Sequence, residues 1–175
     1  DFHKIRSLYW NLIDQEQDDP SFPHWKKGIH PSDEMIQNSI DREELYVLAD
    51  GGDIAACVIA NAEKVDGYSD APWQIDSDEV IVLHLLAVHP NRRGKGLARR
   101  LVENVIEQER NAGKKALRLD VIENNTSAEK LYQNNMISIV EAIAVGTPIV
   151  TTDVPLNSTY IKEYQLGIAK KQWDE

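Results

Sequence analysis

The chain has 175 residues, 42% hydrophobic and 27% charged, with a formal net charge of −10, so it is long enough to bury one core, alone or with an extension. The negative charge disfavours nucleic acid and anionic membranes as partners and suits a cationic substrate. No apolar run approaches the roughly 18 residues of a membrane span and no signal peptide opens the chain, so a cytoplasmic location is expected.

The chain opens at Asp1 without methionine, and Ile5, Leu8, Leu12 and Ile13 recur at helical spacing behind Asp1 as a cap. Residues 18–31 hold three prolines, two histidines, Phe22 and Trp25, too much proline for a helix. His24 and His30 have no acidic or Cys partner at metal-ligand spacing, so no metal is expected. Ser32 to Ile40 suits a short helix after Pro31. Glu44 to Ala49 and Ile54 to Ala62 read as strands joined through Asp50-Gly51-Gly52-Asp53, a hairpin signal. Cys57, the single cysteine, lies in the second of these. No intrachain disulfide can form, and the apolar setting argues a buried inert thiol. Gly67 to Trp73 is a second aromatic loop.

An apolar strand, Val80 to Val88, then runs into Asn91-Arg92-Arg93-Gly94-Lys95-Gly96 and an amphipathic helix with Leu97, Leu101, Val102, Val105 and Ile106 on one face. Backbone N–H groups of such a turn, beside the positive end of a helix dipole, make an anion cradle. Arg92, Arg93, Lys95, Arg99 and Arg100 cluster there in an otherwise acidic chain, which favours a phosphate-bearing ligand over a merely solvated helix start. The turn lacks the Gly-Lys-Ser/Thr of a P-loop, and Arg99 stands where a dinucleotide fingerprint needs a small residue. Asn111-Ala112-Gly113 ends the helix, and Ala116 to Ile122 is another strand. Thr126 with Glu129 forms a capping-box pattern that starts a further helix. Strand, helix, strand and helix imply a parallel pair with a right-handed crossover.

Three elements in order, Leu86-Ala87-Val88-His89-Pro90, Asn91 to Gly96 and Asn125-Thr126-Ser127-Ala128-Glu129-Lys130-Leu131-Tyr132, resemble the GNAT superfamily of N-acetyltransferases. The middle one matches that family's Gln/Arg-x-x-Gly-x-Gly/Ala loop with Asn91 in place of the first residue. The resemblance covers about residues 1–132 and implies an α/β (α+β) fold: a mixed central sheet flanked by helices, here without the usual first strand. The chain therefore looks trimmed at its start.

The resemblance also implies acetyl-CoA as co-substrate in a splayed gap between the strand ending at Val88 and the strand from Ala116. Leu86, Ala87 and Val88 would meet the pantetheine arm. N–H groups of Arg93, Gly94, Lys95, Gly96, Leu97, Ala98 and Arg99 would hold the pyrophosphate, with Asn125 and Ala128 beside the pantetheine. Tyr132 stands at the position that supplies the acid for the leaving thiolate, and its alternative role is an aromatic packed on the core. Leu83 to His89 resembles the strand of arylalkylamine N-acetyltransferases in which a histidine relays the amine proton. His84 is thus the candidate base, with an ordinary pKa near ~6.5; a core histidine bonded to a neighbour is the other reading. Glu79 is the fallback base, and His89 orders the turn. Trp25 and Trp73 are candidate substrate residues, with Phe22, His24 and His30 in the loop that covers the acceptor in this family; aromatics that anchor this loop to the core are the other reading.

After Tyr132 the likeness stops. Residues 136–170 resemble the nucleotide-sugar half of GT-B glycosyltransferases through Glu141-Ala142-Ile143-Ala144-Val145-Gly146-Thr147-Pro148-Ile149-Val150, although Gln133 stands where the partner acid is expected. The expected division is a GNAT domain over 1–135 and an atypical segment over 136–175. There Ser138 to Val145 has helical character, Ile149 to Thr152 is strand-like, Ser158 to Tyr164 a short helix, Leu166 to Ala169 a last strand and Lys170 to Glu175 frayed.

The leading reading is an N-acetyltransferase acting on an amine of a small molecule or peptide by direct attack in a ternary complex. A non-catalytic acyl-CoA-binding domain and a sugar-nucleotide-binding fragment are the alternatives. Whether the chain forms a homodimer stays open.

Overall fold

The computed structural model describes residues 1–63, 77–121, 125–135 and 140–143. Helix α1 spans Phe2–Glu16, its first turn capped by Asp1, whose carboxylate accepts from the Lys4 N–H at 3.4 Å. The apolar stripe read from spacing is its buried face: Ile5, Leu8, Leu12 and Ile13, together with Tyr9. Helix α2, Asp33–Asp41, starts where Ser32 Oγ accepts from Met35 N–H at 3.0 Å, and Asp33 and Glu34 face the positive end of its dipole.

Strands β1 (Leu45–Asp50) and β2 (Asp53–Asn61) form the expected hairpin. Gly51 and Gly52 take φ of 62° and 88°, which the twist of a two-residue hairpin turn demands. Strand β3 (Val80–Val88) pairs antiparallel with β2 and leads through a short 3-10 turn to helix α3 (Leu97–Asn111). Strand β4 (Ala116–Asp120) lies parallel to β3, so α3 is the crossover.

Two expectations need correction. Helix α4 (Thr126–Asn135) does not take Thr126 as its cap: Asn125 Oδ1 accepts from Ala128 N–H at 3.1 Å. Asparagine caps at least as well as threonine, and the start slips back by one residue. The helical expectation over 138–145 fails at Val140–Ile143, which form β5, parallel to β4. An open strand edge overrides a weak helical pattern, and Val140 and Ile143 are β-branched. The expectations for the stretches 149–152, 158–164 and 166–175, and for the loop with Trp73, lie outside the described residues.

The mixed sheet runs β1-β2-β3-β4-β5. On one face α1, Phe22 and Ile36 pack over Cys57, Ile59, Leu85 and Ala87. On the other, Leu101, Val102 and Val105 of α3 pack over Ala56, Val58, Ile81, Leu83, Leu117 and Leu119. Fully burying each large aliphatic side chain contributes roughly 1.5–3 kcal/mol, so the helices are held by packing rather than by propensity. Cys57 is fully buried, and burial pushes its thiol up to about 12, as expected of an inert thiol.

One irregularity positions the site. Cys57 faces Ala87 and Ile59 faces His84, so β3 carries one residue more than β2 over that interval. Leu85, at φ 54°, is where the chain absorbs it. Ile81 and Leu83 face α3 before the bulge, whereas Leu86 and Val88 do so after it. A bulge inverts the alternation of a strand in this way.

Candidate active site

The bulge coincides with a fork in the sheet. Parallel pairing of β3 with β4 runs from Val80 opposite Ala116 to Leu83 opposite Leu119 and stops, although β3 continues to Val88. From His84 onward β3 keeps its partner β2 and has no strand partner on the β4 side among the described residues. The Leu85 carbonyl accepts from the Tyr9 hydroxyl, and the edge of Leu86 to Val88 beyond it suits a ligand that can lie as an extra strand.

At the end of the fork stands the Gly-rich turn. Gly94 and Gly96 take φ of 74° and 69°, and a Cβ at either would meet nothing within 4 Å. The backbone there curls left-handed into open space, which glycine allows without strain. Arg93 N–H bonds Pro90 O at 3.3 Å and Arg100 N–H bonds Gly96 O at 3.0 Å. Between them the N–H groups from Gly94 to Arg99 have no backbone acceptor among the described residues, and Gly96 caps α3 without a side-chain bond. An anion is the natural partner for such a set.

A cavity of about 660 Å³ lies on this turn and runs past Leu86 and Val88 of β3 to Asn125 and Ala128 at the start of α4. Arg93, Gly94, Gly96, Leu97, Ala98 and Arg99 line it; Lys95 and Ala87 do not. Ala87 is buried in the α1-side core, so only its backbone can serve the site. Glu16 of α1 reaches into the same cavity and pairs with Arg93 at 2.5 Å. Asp19 lines it too, and its carboxyl is held below the usual range by the N–H and hydroxyl of Ser21, with Arg93 adding to the effect.

A second cavity of about 310 Å³ shares Pro23, Trp25, Leu86, Asn125 and Ala128 with the first, so the two adjoin at the fork. His84 and Tyr132 line it together, with His30, Asn61 and Glu63. Tyr132 packs against the α3-side core, whereas His84 sits opposite Ile59 of the α1-side core. The two side chains thus come to the gap from opposite faces of the sheet. His84 Nε2 lies 3.1 Å from Asn61 Oδ1.

Other candidates sort by position. Trp25 stacks edge-on with Tyr9 and Phe22, at 5.8 and 5.4 Å between centroids, and lines both cavities. Phe22 is buried core and also lines the larger cavity, whereas His24 is exposed. Glu79 pairs with Lys115 at 2.5 Å and lines neither cavity. His89 accepts from Asn91 N–H at 3.3 Å and so orders the turn. Sequence reasoning missed Tyr9, Glu16, Glu44 and Asn61. Only Asn61 left a signal, as the polar residue that closes the apolar run of β2.

A sequence model of the Acetyltransferase (GNAT) family matches residues 3–136. The chain belongs to that family. Solved structures of GNAT acetyltransferases share its fold. An N-acetyltransferase from Staphylococcus aureus Mu50 is 18% identical with a TM-score of 0.56, covering 77% of this chain and 75% of its own. The ribosomal-protein-alanine N-acetyltransferase of Brucella melitensis is 15% identical, TM-score 0.55, covering 77% and 76%. Diaminobutyrate acetyltransferase EctA of Paenibacillus lautus, in complex with L-2,4-diaminobutyric acid and coenzyme A, is 16% identical, TM-score 0.51, covering 77% and 68%. At such identities the likeness establishes the fold. No curated protein sequence matches the chain. No helix among the described residues is long and apolar enough to cross a membrane.

Proposed function

We propose that this GNAT chain is an acetyl-CoA-dependent N-acetyltransferase that acetylates an amine by direct attack in a ternary complex. The observation that carries the reading is that the cavity on the Gly94–Gly96 turn adjoins the chamber lined by His84 and Tyr132, five residues lining both. Membership of the family supports acyl transfer.

The residues present fit the co-substrate: open glycine backbone and N–H groups with no backbone acceptor among the described residues suit a pyrophosphate, and the edge of β3 beyond its pairing with β4 suits an extended amide-bearing arm. When bound, acetyl-CoA supplies a thioester acyl group at the fork. N–H groups from Gly94 to Arg99 hold the phosphates, and the Arg93 side chain adds charge. Asn125 Oδ1 is taken by its cap, so its Nδ2 is the end that meets the pantetheine. Backbone groups of Leu86 to Val88 orient the arm, and an N–H there polarises the acyl oxygen.

His84 removes a proton from the acceptor ammonium, directly or through water, so that the neutral nitrogen attacks the acyl carbon. As the carbon–sulfur bond breaks, the Tyr132 hydroxyl gives its proton to the sulfur. The attacking nitrogen sheds its second proton through water to the Tyr132 oxygen, His84 releases the first to solvent, and the products are an N-acetyl amide and a free thiol. Trp25 walls the acceptor side, and the chain's negative charge favours a cationic amine. The test is thiol release from acetyl-CoA with a panel of primary amines and N-terminal peptides. Turnover with at least one acceptor supports the reading, and binding of acetyl-CoA without turnover on any would favour the binding-only alternative.

A further inference from the structure

We propose that Asn61, anchored by Glu44, is a positioning residue that locks the His84 imidazole in its Nε2–H tautomer and keeps Nδ1 as the basic nitrogen. This rests on the reading of His84 as the base. Asn61 is the last residue of β2 and only 6% exposed. Its Nδ2 donates to Glu44 Oε2 at 3.0 Å, its Oδ1 accepts from Glu63 N–H at 3.0 Å, and the same Oδ1 lies 3.1 Å from His84 Nε2.

Chemistry fixes which way this amide points. A carboxylate only accepts and a backbone N–H only donates. Flipping the amide would set oxygen against the Glu44 carboxylate and NH2 against the Glu63 N–H, losing both bonds. With Oδ1 towards His84, only a protonated Nε2 completes the contact, and in the neutral ring the lone pair then belongs to Nδ1.

Glu44 is itself held by backbone. Its N–H donates to Ser39 O at 2.9 Å and its carbonyl accepts from Ala60 N–H at 2.8 Å. The carboxylate therefore acts on the imidazole through a neutral amide and makes no direct ion pair with it through this bond. Glu44 orients Asn61, and Asn61 orients the ring. Among the described residues, the other titratable groups around this chamber are His30, Glu63 and Tyr132.

The tautomer is read directly by long-range proton–nitrogen correlation on the whole chain with labelled histidine. Among five histidines, His84 is assigned by the signals lost in His84→Gln. We expect a pyrrole-type Nε2 and a pyridine-type Nδ1; the reverse pattern overturns the proposal. Asn61→Asp, made together with Glu44→Gln so that no two carboxylates are set against each other, keeps an acceptor beside Nε2 and adds a charge, so the acid limb of kcat/KM should move up by about one pH unit. Asn61→Leu should lower kcat about tenfold or more, with KM for acetyl-CoA unchanged, and mix the tautomers. A purely structural role would lower thermal stability in both variants and leave the acid limb in place, which contradicts the proposal.

Should Asn61→Leu fail to fold, Glu44→Gln and Glu44→Leu replace it. Glutamine can still accept from Asn61 Nδ2 and should keep the wild-type tautomer, whereas leucine should lose it; equal behaviour of the two overturns the role of Glu44. Full activity in His84→Ala would remove the base reading instead, and the spectra separate that failure from a wrong tautomer because they need no turnover.

Discussion

The Tyr9 hydroxyl donates to the carbonyl oxygen of Leu85 at 2.8 Å inside the core. The two residues are 76 positions apart, and the bond ties α1 to the left-handed residue of β3. Holding a leucine at φ 54° costs about 1–2 kcal/mol, which the surrounding packing must offset. Burial raises the Tyr9 pKa well above its ordinary value, the nearby Cys57 adding to it, so the phenol remains a donor at any ordinary pH. The bulge is thus clamped from beneath at the point where β3 and β4 part.

Removing the clamp tests this relationship. Tyr9→Phe keeps the ring and strands a buried carbonyl, so stability should fall by about 1–3 kcal/mol. Acetyl transfer should fall in kcat more than in KM, because the unpaired edge of β3 loses its fixed position. Urea unfolding with steady-state kinetics checks both. Unchanged kcat with lowered stability would confine Tyr9 to the core.

The ion pair of Glu16 with Arg93 competes with a phosphate for the same guanidinium. Glu16→Gln should therefore tighten acetyl-CoA a few-fold at low salt, and Arg93→Ala should weaken it about tenfold. Calorimetric titration at two ionic strengths is the measurement. The Glu16→Gln gain should shrink at high salt, as screened charges require.

Tyr132→Phe removes only the proton donor. Its kcat should drop by about 10²–10⁴-fold while acetyl-CoA affinity holds, and the loss should be smaller for a thioester whose thiol is more acidic. An equal loss for both thioesters would put Tyr132 among packing residues.

Cys57 carries a prediction about alkali. Its thiol is raised by burial from 9.0 to about 12, so the unfolded chain loses this proton first as pH rises. Stability from this group is full below pH ~9 and falls as pH climbs towards the folded value. Tyr46, pushed up to about 12 by burial and by its bond to Glu109, adds to the fall only above its ordinary 10.0. Urea midpoints measured from pH 7 to 10 should bend downward near 9, and Cys57→Ala should lose that bend. The native thiol should also resist thiol reagents until the chain unfolds.

What could be read from the chain follows from range. The stripe of α1, the Gly51-Gly52 turn, the apolar run of β3 and the Gly94–Gly96 cradle are local patterns, and each appears where its spacing placed it. The Thr126 cap and the helix over 138–145 give way to Asn125 and to β5 because capping preference and an open strand edge outweigh the local pattern. The bulge was invisible because nothing in Leu85 marks it for a left-handed backbone. Tyr9, Asn61, Glu44 and Glu16 act through partners 17 to 77 positions away, and no periodicity carries that information. His84 and Tyr132 were singled out by family motif and strand position, and they line one chamber.

The fork between β3 and β4, with its glycine cradle, is the site proposed to take acetyl-CoA. Isothermal titration of the whole chain with acetyl-CoA, beside Gly94→Val, tests it most directly. Binding by the wild-type chain and its loss in the variant are expected; the variant should stay folded, since no atom of the described residues lies within 4 Å of the added Cβ, and the strain of a β-branched residue at a left-handed position falls on the turn itself. A folded wild-type chain that does not bind, or a variant that binds equally well, would contradict it.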